Sequence, residues 1–291
     1  MSTQDVEQTQ WESNDEAIAA WDGPLFDRWR WLMGLTLPWL QRFSERAFEL
    51  VPPQPGWHVL DIGVGLGDTT VRLAELVGPE GRALGLDAAP RMIEAAREDN
   101  AGSPAEFVVH DMQEPLDEGP FDAAYARFGT MFFANPVAAL RNVAAILRPG
   151  APLTMVVWRR REDNTFLYEA QQIVEGMIGR PEEYDEPTCG PGPFSMSNAD
   201  TVTAQCLAAG FTDVATHRVD RPMLIGRSVD EAIDMVTAIG PAGELIRLWG
   251  DRMAHRHDEI RAALAAAMEA RRTDEGVIGQ ASCWVVTATR P

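Results

Sequence analysis

The sequence predicts an α/β fold, a mostly parallel seven-stranded sheet with helices on both faces, and three observations carry that prediction. Between Trp57 and Trp158, short apolar runs alternate with helical patterns at short spacing, which argues for parallel strands joined by right-handed helical crossovers. The segment Val59–Asp68, VLDIGVGLGD, is an apolar run that stops at a turn with glycines at 63, 65 and 67 and then opens a helix. Asp61, Asp87 and Asp111 stand within or just after successive apolar runs. In a parallel sheet those strand ends share one edge, and ligands bind there.

Taken in order, about the first fifteen residues are polar and acidic and read as disordered. From Ile18 to Leu50 the pattern is helical and holds Trp21, Trp29, Trp31 and Trp39, four of the nine tryptophans. So many rings in one short stretch fit a helical lid that packs them against something. Pro52-Pro53-Gln54-Pro55-Gly56 ends that unit. Strands are expected at Trp57–Ile62, Arg82–Leu86, Glu106–Val109, Phe121–Ala126 and Leu153–Trp158. Helices are expected at Thr69–Val77, from Pro90 to Asn100, where the proline suits a first helical turn, and at Pro136–Leu147. Beyond Trp158 the regularity weakens, and 159–197 is rich in proline, glycine and acids. A helix at Asn198–Ala209 closed by Gly210, a strand at Thr212–Val219, a largely helical insertion at Ser228–Arg272 and a last strand at Ser282–Thr289 complete the chain. The expected division is a lid over 1–50, a cofactor-binding core over 51–160 and a substrate-side insertion over 161–200. Residues 201–220 and 280–291 return to the core, with a helical cap over 221–279.

Composition removes several functional classes. The 291 residues are 45% hydrophobic, ample for a buried core, and 44 acids against 25 basic residues give a net charge of −19. Such a surface repels nucleic-acid phosphates and anionic headgroups unless a local basic patch intervenes. The densest basic run, Arg159-Arg160-Arg161, is followed at once by Glu162-Asp163 and reads as a turn. Cys189, Cys206 and Cys283 are odd in number and far apart, which fits neither a disulfide framework nor a zinc site and suits a reducing cytoplasm. The polar start does not read as a signal peptide, and no apolar stretch is long enough to span a membrane. The expected partner is a small molecule, with neither nucleic acid nor metal, and a homo-oligomer is left open.

The chemistry concentrates at the glycine turn. Asp87, about two dozen residues beyond Gly63, has the spacing of an acid that accepts ribose hydroxyls. A dinucleotide site wants G-x-G-x-x-G, whereas here Gly63, Gly65 and Gly67 alternate and Asp68 follows, an acid that would repel a pyrophosphate. Asp61 likewise suits a cationic ligand. Together these features favour an adenosine ligand without phosphates.

Here the sequence resembles the class I S-adenosylmethionine-dependent methyltransferases, in particular the small-molecule branch with the ubiquinone and menaquinone C-methyltransferases. The resemblance rests on Val59–Gly67, Gly85-Leu86-Asp87 with Met92, Val109-His110-Asp111-Met112, Phe121-Asp122 with Ala126-Arg127-Phe128-Gly129, and Leu147-Arg148-Pro149-Gly150. Trp21-Asp22-Gly23-Pro24, Phe211 and Trp284-Val285-Val286-Thr287 are similar to the same branch. It implies a Rossmann-like sheet and S-adenosylmethionine as cofactor, leaving as S-adenosylhomocysteine. It further implies that Gly63, Gly65 and Gly67 pass beneath the methionine moiety with Asp61 near its amino group. Asp87 would hold the ribose with Ala88 and Met92 alongside, Asp111 the adenine amine, Met112 the ring face, and Arg127 with Phe128 the transfer site. Val64 and Leu66 stand where small or hydroxylated residues are usual, and Ala151 where a glycine is common.

The activity implied is in-line methyl transfer to a small, partly apolar metabolite of secondary metabolism. The rivals are a nicotinamide-dependent oxidoreductase and a cofactor-binding partner subunit without catalysis. Trp21, Phe26, Trp29 and Trp31 are the candidate lid and substrate residues. His110, Tyr125 and Arg127 are the candidates for a catalytic part, although none reads as an obvious base. Ala126-Arg127-Phe128-Gly129 lacks the Asn/Asp-Pro-Pro-Tyr pattern associated with methylation of nucleic-acid amino groups.

Overall fold

The structure is a computed structural model that describes residues 13–181 and 191–291. Residues 1–12, most of the stretch expected to be disordered, and 182–190 with Cys189 lie outside the described residues. Two helices open the chain, α1 (Asp15–Asp22) and α2 (Pro24–Leu50), so the expected helical stretch is broken at Gly23-Pro24. Then come β1 (His58–Ile62), α3 (Asp68–Val77), β2 (Arg82–Asp87), α4 (Pro90–Asp99), β3 (Glu106–Val109), β4 (Ala123–Arg127), α5 (Pro136–Ile146) and β5 (Pro152–Trp158). The remainder is α6 (Thr165–Ile178), α7 (Ala199–Ala208), β6 (Thr212–Gly226), α8 (Val229–Ala238), α9 (Pro241–Trp249), α10 (His257–Glu269), β7 (Arg272–Thr273) and β8 (Gly276–Thr289).

Seven strands form one sheet in the order β3-β2-β1-β4-β5-β8-β6, and the two-residue β7 pairs on β8. The first five are parallel; β8 runs antiparallel to both β5 and β6. The expected mostly parallel α/β sheet is therefore observed. The strand order reverses between β2-β1 and β4-β5, and a crevice opens at the carboxyl ends of such a switch point. Val59, Leu60, Asp61 and Ile62 of β1 and Leu153–Val157 of β5 are buried, as central strands covered on both faces require.

Three expectations are corrected. The fourth strand starts at Ala123 rather than Phe121, which makes only an isolated bridge to Leu147. The last two strands reach Gly226 and Gly276, past Val219 and Ser282, so the helical cap between them is shorter than 221–279. Pro222 hid this extension: it sits opposite Gln280 on the outermost strand, where a missing N–H costs no ladder bond. A helix, α6, occupies part of the stretch read as irregular. Asn164 fixes its start: the buried amide lies within bonding reach of the Arg159, Arg160 and Ser282 carbonyls through Nδ2, and its Oδ1 accepts from the Ser282 amide.

The N-terminal helices are held to the core by specific contacts. Pro38 inside α2 lacks the N–H that would bond the Gly34 carbonyl, and Arg227 from the β6–α8 turn donates to that oxygen instead. The Asp22 carboxylate accepts from the Arg91 amide at 2.7 Å and so caps α4 from outside the helix. These contacts bring α1 and the first turns of α2 over the crevice.

Candidate active site

The crevice is a cavity of about 490 Å³ at the carboxyl ends of β1, β2 and β4. Its floor is the turn after β1, where Gly63, Gly65 and Gly67 have φ of 70°, 53° and 84°. Each glycine answers to a different neighbour. A Cβ on Gly63 would lie 2.6 Å from the Gly129 Cα, one on Gly65 3.1 Å from the Trp29 Nε1, and one on Gly67 2.6 Å from the Phe107 ring. Gly63 and Gly65 line the cavity, whereas Gly67 faces Phe107 and begins α3. The expectation that all three underlie the ligand is corrected for Gly67.

Asp87 ends β2 at the rim. Its Oδ2 accepts from the Gly65 amide at 2.9 Å and its Oδ1 from the Ala89 amide at 3.0 Å. The Ala88 amide bonds it as well, so backbone donors from both flanking turns orient the carboxylate. Burial pushes its carboxyl up to about 6 against these backbone bonds, which lower it. Ala88, Met92, Asp111 and Met112 also line the cavity, as does His110, whose Nε2 lies 3.2 Å from the Glu114 carbonyl.

Asp61 is placed differently from expectation. It is 1% exposed, is absent from the cavity wall, and accepts from the Thr70 hydroxyl at 2.7 Å beneath the glycine turn. Burial pushes its carboxyl up to about 7, opposed by the Thr70 bond and the nearby Arg127 charge. Its side chain points toward α3 because β1 alternates and Thr70 supplies a donor in that layer.

Arg127 and Phe128 follow β4 and both line the cavity. Arg127 is locked in a two-pronged ion pair with Asp68, at 2.8 and 2.7 Å, and lies 3.3 Å from the Ser44 hydroxyl. The acid at the first turn of α3 is thereby matched by a guanidinium. Phe128 adopts a φ of 61°, and its ring stacks on Trp158 at 4.2 Å and 13°. Tyr125 stands away from the cavity: its hydroxyl donates to the Val51 carbonyl at 2.9 Å, its ring packs on Phe48, and burial raises its pKa. That removes it from the catalytic candidates.

Of the four lid residues, Trp21 and Trp29 line the cavity and meet edge to face at 5.7 Å. Phe26 packs on Ala89, Met92 and Ala95 under the Arg91 guanidinium, and Trp31 is 39% exposed. Both are corrected, for on a 3.6-residue repeat Trp31 lies on the side of α2 opposite Trp29. The structure adds wall residues the sequence did not single out: Asn14, Phe132, Trp158, Pro191 to Pro193, and Ile239 to Pro241 with Gly243 and Glu244 at the α8–α9 junction. The Trp-rich pattern was the signal for the first wall; nothing local marked the others. Among the described residues no cluster of three or more metal-binding side chains occurs.

Comparison with known proteins gives the same segment. Residues 59–150 match the family described as a methyltransferase domain. An uncharacterized 37.1 kDa protein in a transposon of Streptomyces fradiae is 36% identical over 117 residues, 39% of this chain and 33% of that one. A demethylmenaquinone methyltransferase of Listeria monocytogenes is 28% identical over 137 residues, 46% of this chain and 57% of that one. The chain thus spans a third and just over half of the length of these two relatives. The YcgJ protein of Bacillus subtilis shares the fold, with a TM-score of 0.55 at 15% identity over 86% of this chain and 98% of that one. The switch-point crevice, the glycine turn and the rim acids thus fall in residues 59–150, the segment that matches a methyltransferase domain.

Proposed function

We propose that the protein transfers a methyl group from S-adenosylmethionine to a small, partly apolar acceptor by in-line displacement. The observation that carries this reading is Asp87, a carboxylate on the cavity wall with both oxygens oriented by backbone amides, a pattern that suits ribose hydroxyls as donors. The residues fit that cofactor. Gly63 and Gly65 leave room that a side chain would fill, and Asp111 and Met112 suit an adenine ring with its amine. A pyrophosphate fits badly, because the start of α3 already holds the Asp68–Arg127 pair. The nicotinamide-dependent alternative therefore lacks its anion site.

When bound, this cofactor supplies a methyl already activated by a sulfonium, so the protein's task is to hold and to enclose. Positioning alone can be worth about 7–11 kcal/mol of barrier. Trp21, Trp29, Phe128, Phe132, Trp158 and Phe194 make a wall from which water is excluded and against which a cation is favoured. A mid-sized organic acceptor follows from the cavity's volume and apolar wall. In this reading 1–50 act as the lid, and the segments around 191–194 and 238–244 shape the acceptor end. A cytoplasmic setting accords with Cys206 and Cys283, which are free and buried, and no helix among the described residues is long and apolar enough to cross a membrane.

The test is ligand binding. S-adenosylhomocysteine should raise the melting temperature and NAD should not. Asp87→Ala should weaken S-adenosylhomocysteine about 100-fold, since two hydrogen bonds to a charged group at roughly 1.5 kcal/mol each are lost. An unchanged Kd would remove the ribose assignment, and stabilisation by NAD alone would remove the methyltransferase reading.

A further inference from the structure

The first helix is weakly built yet reaches the far end of the site. Helix α1 has eight residues and buries none of them fully, and a helix of that length is marginal by itself. Its inner face, Asn14, Ala17, Ile18 and Trp21, lines the cavity. Its attachments include the Trp21 ring on Trp29 and Phe132, the Asp22 carboxylate on the Arg91 amide, the Asp22 carbonyl on the Arg91 guanidinium, and Asn14. Asn14 is 6% exposed and makes two long-range bonds. Its Oδ1 accepts from the Ala134 amide at 2.8 Å, and its Nδ2 donates to the Asp111 Oδ1 at 2.7 Å. The Ala134 amide can only donate, so it fixes which end of the Asn14 amide faces Asp111.

The consequence lies on Asp111. Its Oδ1 accepts from Asn14 and also from the Gln113 amide at 2.9 Å, while Oδ2 takes neither bond. The carboxylate is held by two bonds to one oxygen, and the other oxygen takes neither of them.

Resting on the S-adenosylmethionine reading, we propose that Asn14 is a cofactor-positioning residue: it fixes the Asp111 carboxylate so that Oδ2 reads the exocyclic amine of adenine, and it thereby ties α1 shut over the bound nucleoside. A donor at that ring position completes the arrangement. Hypoxanthine, with a carbonyl there, sets lone pair against lone pair and is rejected. Since the same amide secures the lid, release of the nucleoside and opening of α1 are one event.

The experiment compares S-adenosylhomocysteine with S-inosylhomocysteine on wild type, Asn14→Ala and Asn14→Asp, reading Kd by calorimetry and release rates by tryptophan fluorescence. Asp at 14 retains an acceptor for the Ala134 amide but sets a carboxylate against Asp111, so it isolates the second bond. Wild type should prefer the adenine ligand by at least ~10-fold. Asn14→Ala should release it roughly fivefold faster and Asn14→Asp at least ~10-fold faster, with the preference for adenine shrinking in both. Because Asn14 lies outside the core, the unliganded variants should melt within about 2 °C of wild type. Equal losses for both ligands would mean a lid contact without positioning, and unchanged release rates would remove Asn14 from the site; either overturns the assignment. Failure of wild type to bind S-adenosylhomocysteine would instead overturn the cofactor reading.

Discussion

Asp61 makes folding stability depend on pH in a direction opposite to most carboxylates. Desolvation raises its pKa from an ordinary 3.8 to about 7, against the lowering effects of the Thr70 hydroxyl and Arg127. The native state therefore holds this proton between about pH 4 and 7, where the unfolded chain has released it, and stability falls as pH rises through that window. From pH 5 to 8 the difference amounts to roughly two pH units of one bound proton, or about 2–3 kcal/mol at 1.36 kcal/mol per unit. Asp87, raised to about 6, adds a smaller loss in the same direction. Urea unfolding at pH 5 and pH 8 measures the sum, and Asp61→Asn isolates the share of Asp61. The variant leaves an amide without an assured acceptor, so its absolute stability is not the readout; the change between the two pH values is. That change should be smaller in Asp61→Asn by about 2 kcal/mol. Identical pH dependence in the two proteins would show that Asp61 is ionised at pH 5 and that its burial does not govern its titration.

Three further substitutions probe the site and its support. Gly63→Ala forces a Cβ to 2.6 Å from the Gly129 backbone at a φ of 70° and should cost roughly 2–4 kcal/mol by chemical denaturation, with cofactor affinity lost as the turn shifts. Tyr125→Phe removes the bond to the Val51 carbonyl and should cost about 1 kcal/mol while S-adenosylhomocysteine binds as in wild type; a loss of affinity would return Tyr125 to the site. Asn164→Ala takes the acceptor from the buried Ser282 amide, while the Ser282 carbonyl keeps the Arg159 amide, so about 1–3 kcal/mol should be lost in the same assay.

What the sequence made legible was the part whose causes are local. The alternation of apolar runs and helical patterns specified the five parallel strands, because each strand is short, buried and bounded by its own turn. The glycine turn and Asp87 were visible together, since the acid's partner, the Gly65 amide, is fixed by the loop geometry itself. The reach of β6 past Pro222 was not legible because a breaker in a central strand is harmless at a sheet edge, and only the strand order tells which applies. Trp31 misled for a similar reason: a tryptophan count registers rings but not the side of α2 on which each one falls.

Asp68 draws the boundary between what is local and what is not. As a letter after Gly67 it is a negative charge at the start of a helix. Its partner Arg127 lies 59 residues away and meets it only because β4 pairs beside β1 and α3 starts above that pair. The same ion pair also brings a guanidinium near Asp61, where its charge works against the burial that raises the Asp61 pKa. Asn14 extends this logic across 97 residues, from an unremarkable polar start to the acid after β3. In each case the sheet order supplies the juxtaposition and the residue supplies the chemistry. The floor of the crevice could therefore be read from the chain, while its roof and its charge pairing required the fold.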